Sequence, residues 1–417
     1  MKKATLLLTA VTVFMSVGCG AGETRGPNVL VILIDTIRAD HLGCMGYRRN
    51  TTPTLDSLAR EGVLYSNCQS HSSWTLPAMA GILSGLNPRE HAAGRHYDAL
   101  FGVPEDIPWM PMIFKSAGYR TAAFFNVIFM NADFGFHRGF DFFDCSALGP
   151  ETRSRNAGET VEAVLSWFSG YSGDKPFFVA VHFFDPHLPY SPPAPWDTLF
   201  ADLEYSGEYG PEWGGVSQLN AVHSGMDTIP PDGLEHLVAL YDGEIAYADG
   251  ELGRLLETLR ERGLMENTVV VVVGDHGEEF MEHGGMDHGR TLYQEICHVP
   301  LIFSGPGVPR GLVVETLTGQ VGVMPEVLRL AGLEGGAVTP LYSGELEPVP
   351  VPASDVLWRE GNLASLVVPG AKLIWGVDEG FTEAYDLLAD PAELEPLPPD
   401  SAMMAELEWY WGTPPLA

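Results

Sequence analysis

Four residues in this chain have the types and the settings to carry out metal-assisted ester chemistry: Asp35, Thr75, Asp275 and His276. Asp35 closes the apolar run "NVLVILID", and Asp275 closes "NTVVVVVGD" with His276 directly after it. Thr75 lies in "HSSWTLPAMAGILSG", where a strand-like lead-in reaches the threonine, Pro77 follows, and a small-residue helix runs to a Ser-Gly stop. Singly, each is weak, because an Asp after a strand is most often a helix cap and a lone His is most often structural. Together they supply two carboxylates, an imidazole and a hydroxyl. Such donors suit Mn²⁺, Zn²⁺, Mg²⁺ or Ca²⁺, and no cysteine stands at metal-ligand spacing to favour a softer ion. One bound divalent ion would acidify the Thr75 hydroxyl and neutralise charge on an oxyanion group in transfer.

A scaffold is needed to bring strand ends so distant in sequence together. "NVLVILI" and "TVVVVV" are continuous apolar runs, the pattern of strands buried on both faces. The same scheme recurs along the chain. "MPMIFKSAGYRTAAFF" gives a helix, a Gly stop and a strand, and "GETVEAVLSWFSG" precedes "PFFVAVHFF". The long helical stretch from Gly233 to Gly263 leads into "NTVVVVVGD", and "HVPLIFSG" is followed by "MPEVLRLAG". Alternating helices and strands predict an α/β fold around a mostly parallel sheet, with its chemistry at the carboxyl ends of the strands. Between Trp196 and Gly233 an aromatic- and Gly-rich insertion separates a strand from a helix. Loops of that length are uncommon unless functional, so a lid or a sugar-binding wall is expected there. Gly335 to Pro352 is rich in Gly and Pro and marks a boundary. The strand candidates "NLASLVVPG" and "AKLIWGVD" beyond it predict a small C-terminal α+β subdomain.

Composition narrows the function classes. With 45% hydrophobic residues the chain can bury a large core, and its 55 Asp and Glu against 23 Lys and Arg give a formal charge of −32. Nucleic acids and anionic lipid surfaces are excluded as partners, since both are bound by Lys/Arg stripes. The same sign weighs against a highly sulfated polyanion as substrate. At the N-terminus, Lys2 and Lys3 precede an uncharged apolar run, Ala4 to Gly18, too short for a membrane span and right for a secretory signal. It ends in Ser-Val-Gly-Cys, which resembles a bacterial lipoprotein box with Cys19 as the lipidated residue. The expected organisation is a signal peptide over 1–19, a tether over 20–26, a catalytic domain over 27–339 and the subdomain over 340–417. Export to the periplasm or cell envelope follows, with membrane contact only through the lipid anchor. In that oxidising setting Cys44, Cys68, Cys145 and Cys297 permit up to two disulfides.

Seven blocks carry a family resemblance: "PNVLVILIDTIRADHLGCMGY", "WTLPAMAGILSGLNP", "AGYRTAAF", "FFVAVHFFDPHLPYSPP", the stretch from Tyr241 to Gly284, "TLYQEICHVPLIFSGPG" and "YDLLADPAEL". In this order the chain resembles the sulfatase family of the alkaline phosphatase superfamily from Pro27 to Leu397. The resemblance implies an α/β/α sandwich around a large mixed sheet with a small C-terminal subdomain. It further implies that Asp35, Asp275 and His276 are ligands of one divalent metal ion, with Thr75 as nucleophile and fourth ligand. His187, in "DPHLPY", matches the histidine that contacts the ester and protonates the leaving oxygen. His288 falls beside the family's second active-site lysine, whose place aligns to within one residue with both His288 and Arg290. His182, His283 and Arg38 are weaker candidates.

The departures bear on the substrate. Sulfatases place a cysteine or serine, converted to formylglycine, where this chain has Thr75, and an arginine where it has Met79. The second Asp of the family's Asp-Asp pair is Thr36, and the Lys-Trp-His segment is absent, with Asn126 in that region. The Asp/Thr/Asp/His set is similar to that of phosphonate monoester hydrolases and to the threonine-using lipoteichoic acid synthases. A threonine lacks the geminal hydroxyl by which hydrated formylglycine expels sulfate, whereas a phosphorylated threonine can be hydrolysed at phosphorus. The expectation is therefore a hydrolase or transferase of phosphate diesters or phosphonates. The alternatives are a sulfuric ester hydrolase without formylglycine and a catalytically silent sulfatase-like binding protein. The substrate is expected to be a small-molecule, glycan or lipid ester.

Overall fold

A computed structural model describes residues 26–96, 99–146, 154–333, 341, 351–354 and 362–412. Cys19, the signal-like run and nearly all of the tether lie outside these residues, as does most of the Gly/Pro-rich boundary. Among the described residues no helix is long and apolar enough to cross a membrane.

The strand Asn28–Ile34 is buried along its whole length, and the reason is visible in its alternation. Val29, Val31 and Leu33 face a cluster containing Trp74, Met79, Phe114 and Phe178. Leu30, Ile32 and Ile34 face the opposite cluster, with Leu237, Leu240 and Leu255 of the long helix Pro231–Glu261. A strand covered on both faces has no polar positions to spare, and each such buried side chain contributes about 1.5–3 kcal/mol. Thr268–Gly274 and Phe177–Phe183 are buried in the same way on either side of it.

The main sheet runs in the order Leu312–Val314, Val63–Gln69, His298–Ser304, Thr268–Gly274, Asn28–Ile34, Phe177–Phe183, Arg120–Phe125, Phe142–Cys145, and Thr318–Gly319 also pairs with Val63–Gln69. Asn28–Ile34 is parallel to both neighbours, whereas His298–Ser304 is antiparallel to both of its own. The sheet is thus mixed, and helices cover both faces. Register decides the site: Ile34 pairs with Gly274 on one side and with Phe183 on the other. The residues that follow, Asp35 and Asp275, therefore emerge side by side at the carboxyl edge.

A separate four-stranded antiparallel sheet is built from Val351–Ser354, Leu363–Val368, Ala371–Gly376 and Phe381–Asp386. The helix Ser401–Gly412 packs Leu407 and Tyr410 against Leu366 and Leu373. Lys372 Nζ lies 3.1 Å from Glu393 Oε1, and both side chains are fully buried. Removing one member strands the other charge in a low-dielectric interior. Lys372→Met is accordingly expected to destabilise the protein by about 3–5 kcal/mol, read by denaturant unfolding. A loss below about 1 kcal/mol would show that Glu393 takes up a proton at little cost. None of Cys44, Cys68, Cys145 and Cys297 takes part in a disulfide, so neither permitted bridge is formed among the described residues.

Candidate active site

The two strand-end carboxylates and His276 converge, with their ligand atoms all within 4.8 Å of one another and all three residues buried. The backbone fixes which oxygen faces inward. Asp275 Oδ1 accepts the N–H of His276 at 2.7 Å and of Thr36 at 3.1 Å, leaving Oδ2 buried without a hydrogen bond. The Asp275 carbonyl is held by Ser70 Oγ at 2.5 Å and Gln320 Nε2 at 2.7 Å. His276 Nδ1 lies 3.0 Å from the Gly277 carbonyl, an oxygen that can only accept. Nδ1 therefore carries the proton and Nε2 is left as a lone-pair donor, the usual device for orienting a metal-binding imidazole. Burial, then the positive charge of His288, depresses the His276 pKa to about 3.

Both Asp35 oxygens are likewise buried without an aligned hydrogen bond. His182 Nε2 lies 3.3 Å from Asp35 Oδ2, and His276 Nε2 lies 3.7 Å from Asp35 Oδ1. Burial would raise the Asp35 pKa, but His182 and the neighbouring imidazole charges bring it down. Asp275 takes the opposite course: burial and then the Asp35 charge push it well above the carboxylate range. Two like charges in one dry pocket cannot both ionise unaided. Unsatisfied oxygens, a lone-pair nitrogen and mutual repulsion are what a divalent cation relieves, so these residues fit the ion that the motif implies.

That fit has a sign in pH. Below its elevated pKa the Asp275 carboxyl holds a proton, which an incoming cation must displace; above it the competition ends. Below that raised pKa, metal binding is expected to release about one proton per ion and to weaken about tenfold per unit of acidification. Calorimetric titration in two buffers of different ionisation enthalpy measures the release, and a value of zero would contradict this account.

Thr75 Oγ1 lies 3.5 Å from His276 Nε2. Sequence patterning treated Thr75 as the end of a strand-like lead-in, but it is the first residue of the helix Thr75–Ser84, preceded by extended Trp74. The hydroxyl consequently sits at the helix N-terminus, where unpaired N–H groups and the helix dipole favour an anionic group. Thr36, the residue in place of the second family Asp, has φ +48 despite its β-branch. Three bonds hold it there: its N–H to Asp275, Oγ1 to the Pro186 carbonyl at 2.8 Å, and its carbonyl to Tyr241 Oη at 2.8 Å.

His187 and His288 face each other edge-on, with ring centroids 4.9 Å apart, and His288 lies 4.4 Å from His276. His187 Nδ1 donates to the Leu188 carbonyl at 2.6 Å and its ring stacks on Phe184, so Nε2 is the nitrogen open to exchange a proton. His288 Nδ1 contacts Asp287 Oδ1 at 2.9 Å and Glu278 Oε1 at 3.0 Å. Burial works against its charge, but the Asp287 and Glu278 carboxylates outweigh that and lift its pKa well above the usual value. Those two carboxylates thus favour the charged, imidazolium form of His288.

Other candidates fall elsewhere. Arg38 is spent on Asp40 and Glu282 and donates to the Glu278 carbonyl, so it braces the site from behind. His283 pairs with Glu295 and stacks on Tyr293, on the side facing the small subdomain through the Glu393 carbonyl. Met79 is fully buried in the core. Asn126 is buried too, donating to Thr160 and the His182 carbonyl and accepting from Arg155. Sequence reading gave His182 little weight and missed Glu278 and Asp287. The signal for His182 was present, since a histidine inside "FFVAVHFF" interrupts an otherwise apolar buried strand.

The sulfatase family model matches residues 27–333, most of the chain and every residue of this cluster. The chain belongs to the sulfatase family. It is similar to an arylsulfatase of Clostridium perfringens, 24% identical with 88% of this chain and 89% of that protein covered. It is equally similar to a delta 4,5-hexuronate-2-O-sulfatase of Bacteroides thetaiotaomicron, 24% identical over 93% of this chain and 89% of that protein. Among solved structures, the phosphonate monoester hydrolase of Agrobacterium radiobacter superposes with a TM-score of 0.72, at 20% identity, covering 92% of this chain and 94% of that one. As a sulfatase-family protein it is an ester hydrolase of the alkaline phosphatase superfamily. Sulfatase-family enzymes use a divalent metal, and Asp35, Asp275 and His276 are its candidate ligands.

Proposed function

We propose that this sulfatase-family protein hydrolyses, or transfers, phosphate diesters or phosphonates, with Thr75 as nucleophile. Asp35, Asp275, His276 and Thr75 would hold one divalent ion. The observation that carries the proposal is the identity of the residue at the helix start: a threonine, which cannot become formylglycine, in contact distance of His276.

The chain's own groups divide the work. Thr75 Oγ1, its proton lost to solvent, attacks phosphorus, and one ester oxygen leaves with a proton from His187 Nε2. Water then cleaves the phosphoryl–threonine bond, giving one proton back to His187 while the departing Thr75 oxygen takes up a proton from solvent. The His288 imidazolium and the N-terminal amides of the Thr75 helix stabilise the non-bridging oxygens as charge builds on them. A divalent ion bound by the carboxylates would lower the hydroxyl pKa and polarise the transferring group.

A second reading, sulfate ester hydrolysis without formylglycine, draws on the arylsulfatase and hexuronate sulfatase relatives. One panel separates the two: metal-loaded protein assayed on aryl phosphodiesters, phosphonate monoesters, phosphate monoesters and sulfate esters. The proposal expects the first two to exceed sulfate esters in kcat/KM. The reverse order supports the second reading, and no turnover of any ester supports a silent binding protein. The wider substrate is a small-molecule, glycan or lipid ester, delivered in the periplasm or at the cell envelope if Cys19 carries the predicted lipid.

A further inference from the structure

The insertion between Trp196 and Gly233 reaches the site without contributing to it directly. Its helix Val216–His223 ends on His223, whose Nε2 lies 2.7 Å from the Met286 carbonyl. Met286–Asp287 is the return strand of a two-residue hairpin with Glu279–Phe280. That hairpin carries both carboxylates that hold His288: Glu278 enters it and Asp287 leaves it. So short a ladder cannot fix its own geometry, and Asp287 stands in the left-handed region at φ +76, a conformation that surrounding contacts must impose. The Met286 carbonyl immediately before it is where His223 bonds.

The same insertion touches the other histidine. Gly214, at φ +122, approaches so closely that a Cβ there would sit 2.6 Å from the Leu188 side chain. Leu188 provides the carbonyl that orients His187 Nδ1. One insertion thus backs the supports of both His187 and His288.

We infer that the insertion is a brace for the two site histidines, and that His223 is a positioning residue which sets Asp287, and through it His288, by its bond to Met286. The inference rests on the role proposed above for His288. It assigns the insertion a part in catalysis that does not require it to open or to touch the substrate.

The test uses the full chain, metal-loaded, with His223→Leu, which removes the bond, and His223→Gln, whose side-chain N–H can remake it. Hydrogen–deuterium exchange over residues 278–288 is expected to accelerate at least tenfold in His223→Leu and to return to within threefold of wild type in His223→Gln. With the aryl ester that wild type turns over fastest, kcat is expected to fall at least tenfold in His223→Leu, at unchanged metal content. In a His288→Asn background the same substitution should add no further loss, because coupled residues are non-additive. Unchanged exchange in His223→Leu, or a His223→Gln variant as impaired as the leucine, overturns the brace. A fully active His288→Asn instead removes the role of His288 while the exchange result still judges the brace.

Discussion

Thr75→Ala is expected to lower kcat by about a thousandfold or more, the scale on which loss of an enzyme nucleophile is felt. The alanine removes the attacking oxygen and, in the same stroke, one oxygen from the set that would hold the ion. Thr75→Ser keeps the hydroxyl at the start of the same helix, so it should retain part of the activity. The lost methyl frees its rotamer, which sets the remaining deficit. Steady-state kinetics on the preferred aryl ester decides the matter, and acid-quenched protein should carry the substrate's phosphoryl or phosphonyl group on Thr75 during turnover. An alanine variant that works like wild type would remove Thr75 from the chemistry and leave the fold assignment standing.

Asp275→Asn is expected to weaken divalent metal binding by at least about a hundredfold, since even indirect supports of metal ligands are worth ten- to a hundredfold. The amide preserves the acceptor used by His276 and Thr36 but replaces the inward anionic oxygen by a neutral group. The amide also stays neutral at every pH, so it meets no repulsion from Asp35 even above the raised pKa of the carboxyl it replaces. The metal-free variant should therefore melt no lower than metal-free wild type, although metal no longer stabilises it. Elemental analysis after dialysis, paired with thermal melting with and without chelator, reads both effects. Equal metal in the two proteins would refute the ligand assignment.

The sheet and its site were legible in sequence to different depths. A continuous run such as "NVLVILI" can be accommodated only where both faces are covered, so the central strands announced themselves, and Asp35 and Asp275 were conspicuous as the polar residues that end them. His276 came with its neighbour. The supports of His288 were hidden because the strands Glu279–Phe280 and Met286–Asp287 are too short to show a period. Among the described residues they pair only with each other, and the His223 that backs them lies in the insertion, whose composition gives no register. Thr75 was misplaced by one element because Trp74 is extended, at φ −156 and ψ 162, yet belongs to no ladder. Extended backbone alone writes the same local pattern as a strand. The resemblance showed that a cation was missing at position 79, but not that apolar side chains close around the methionine.

That closure makes the absence of formylglycine chemistry hard to reverse. A route back to a modified nucleophile needs a cysteine or serine at 75 and, by the family pattern, an arginine at 79. The first change is conservative in size, but the second drives a guanidinium into the space of a fully buried thioether among Trp74, Leu76, Ile82 and Leu83. An unpaired charge so placed costs several kcal/mol, a large part of the stability of an ordinary domain. The second of these changes endangers folding on its own. Met79 therefore separates this site from the family's modified nucleophile by a second substitution far costlier than the one at Thr75.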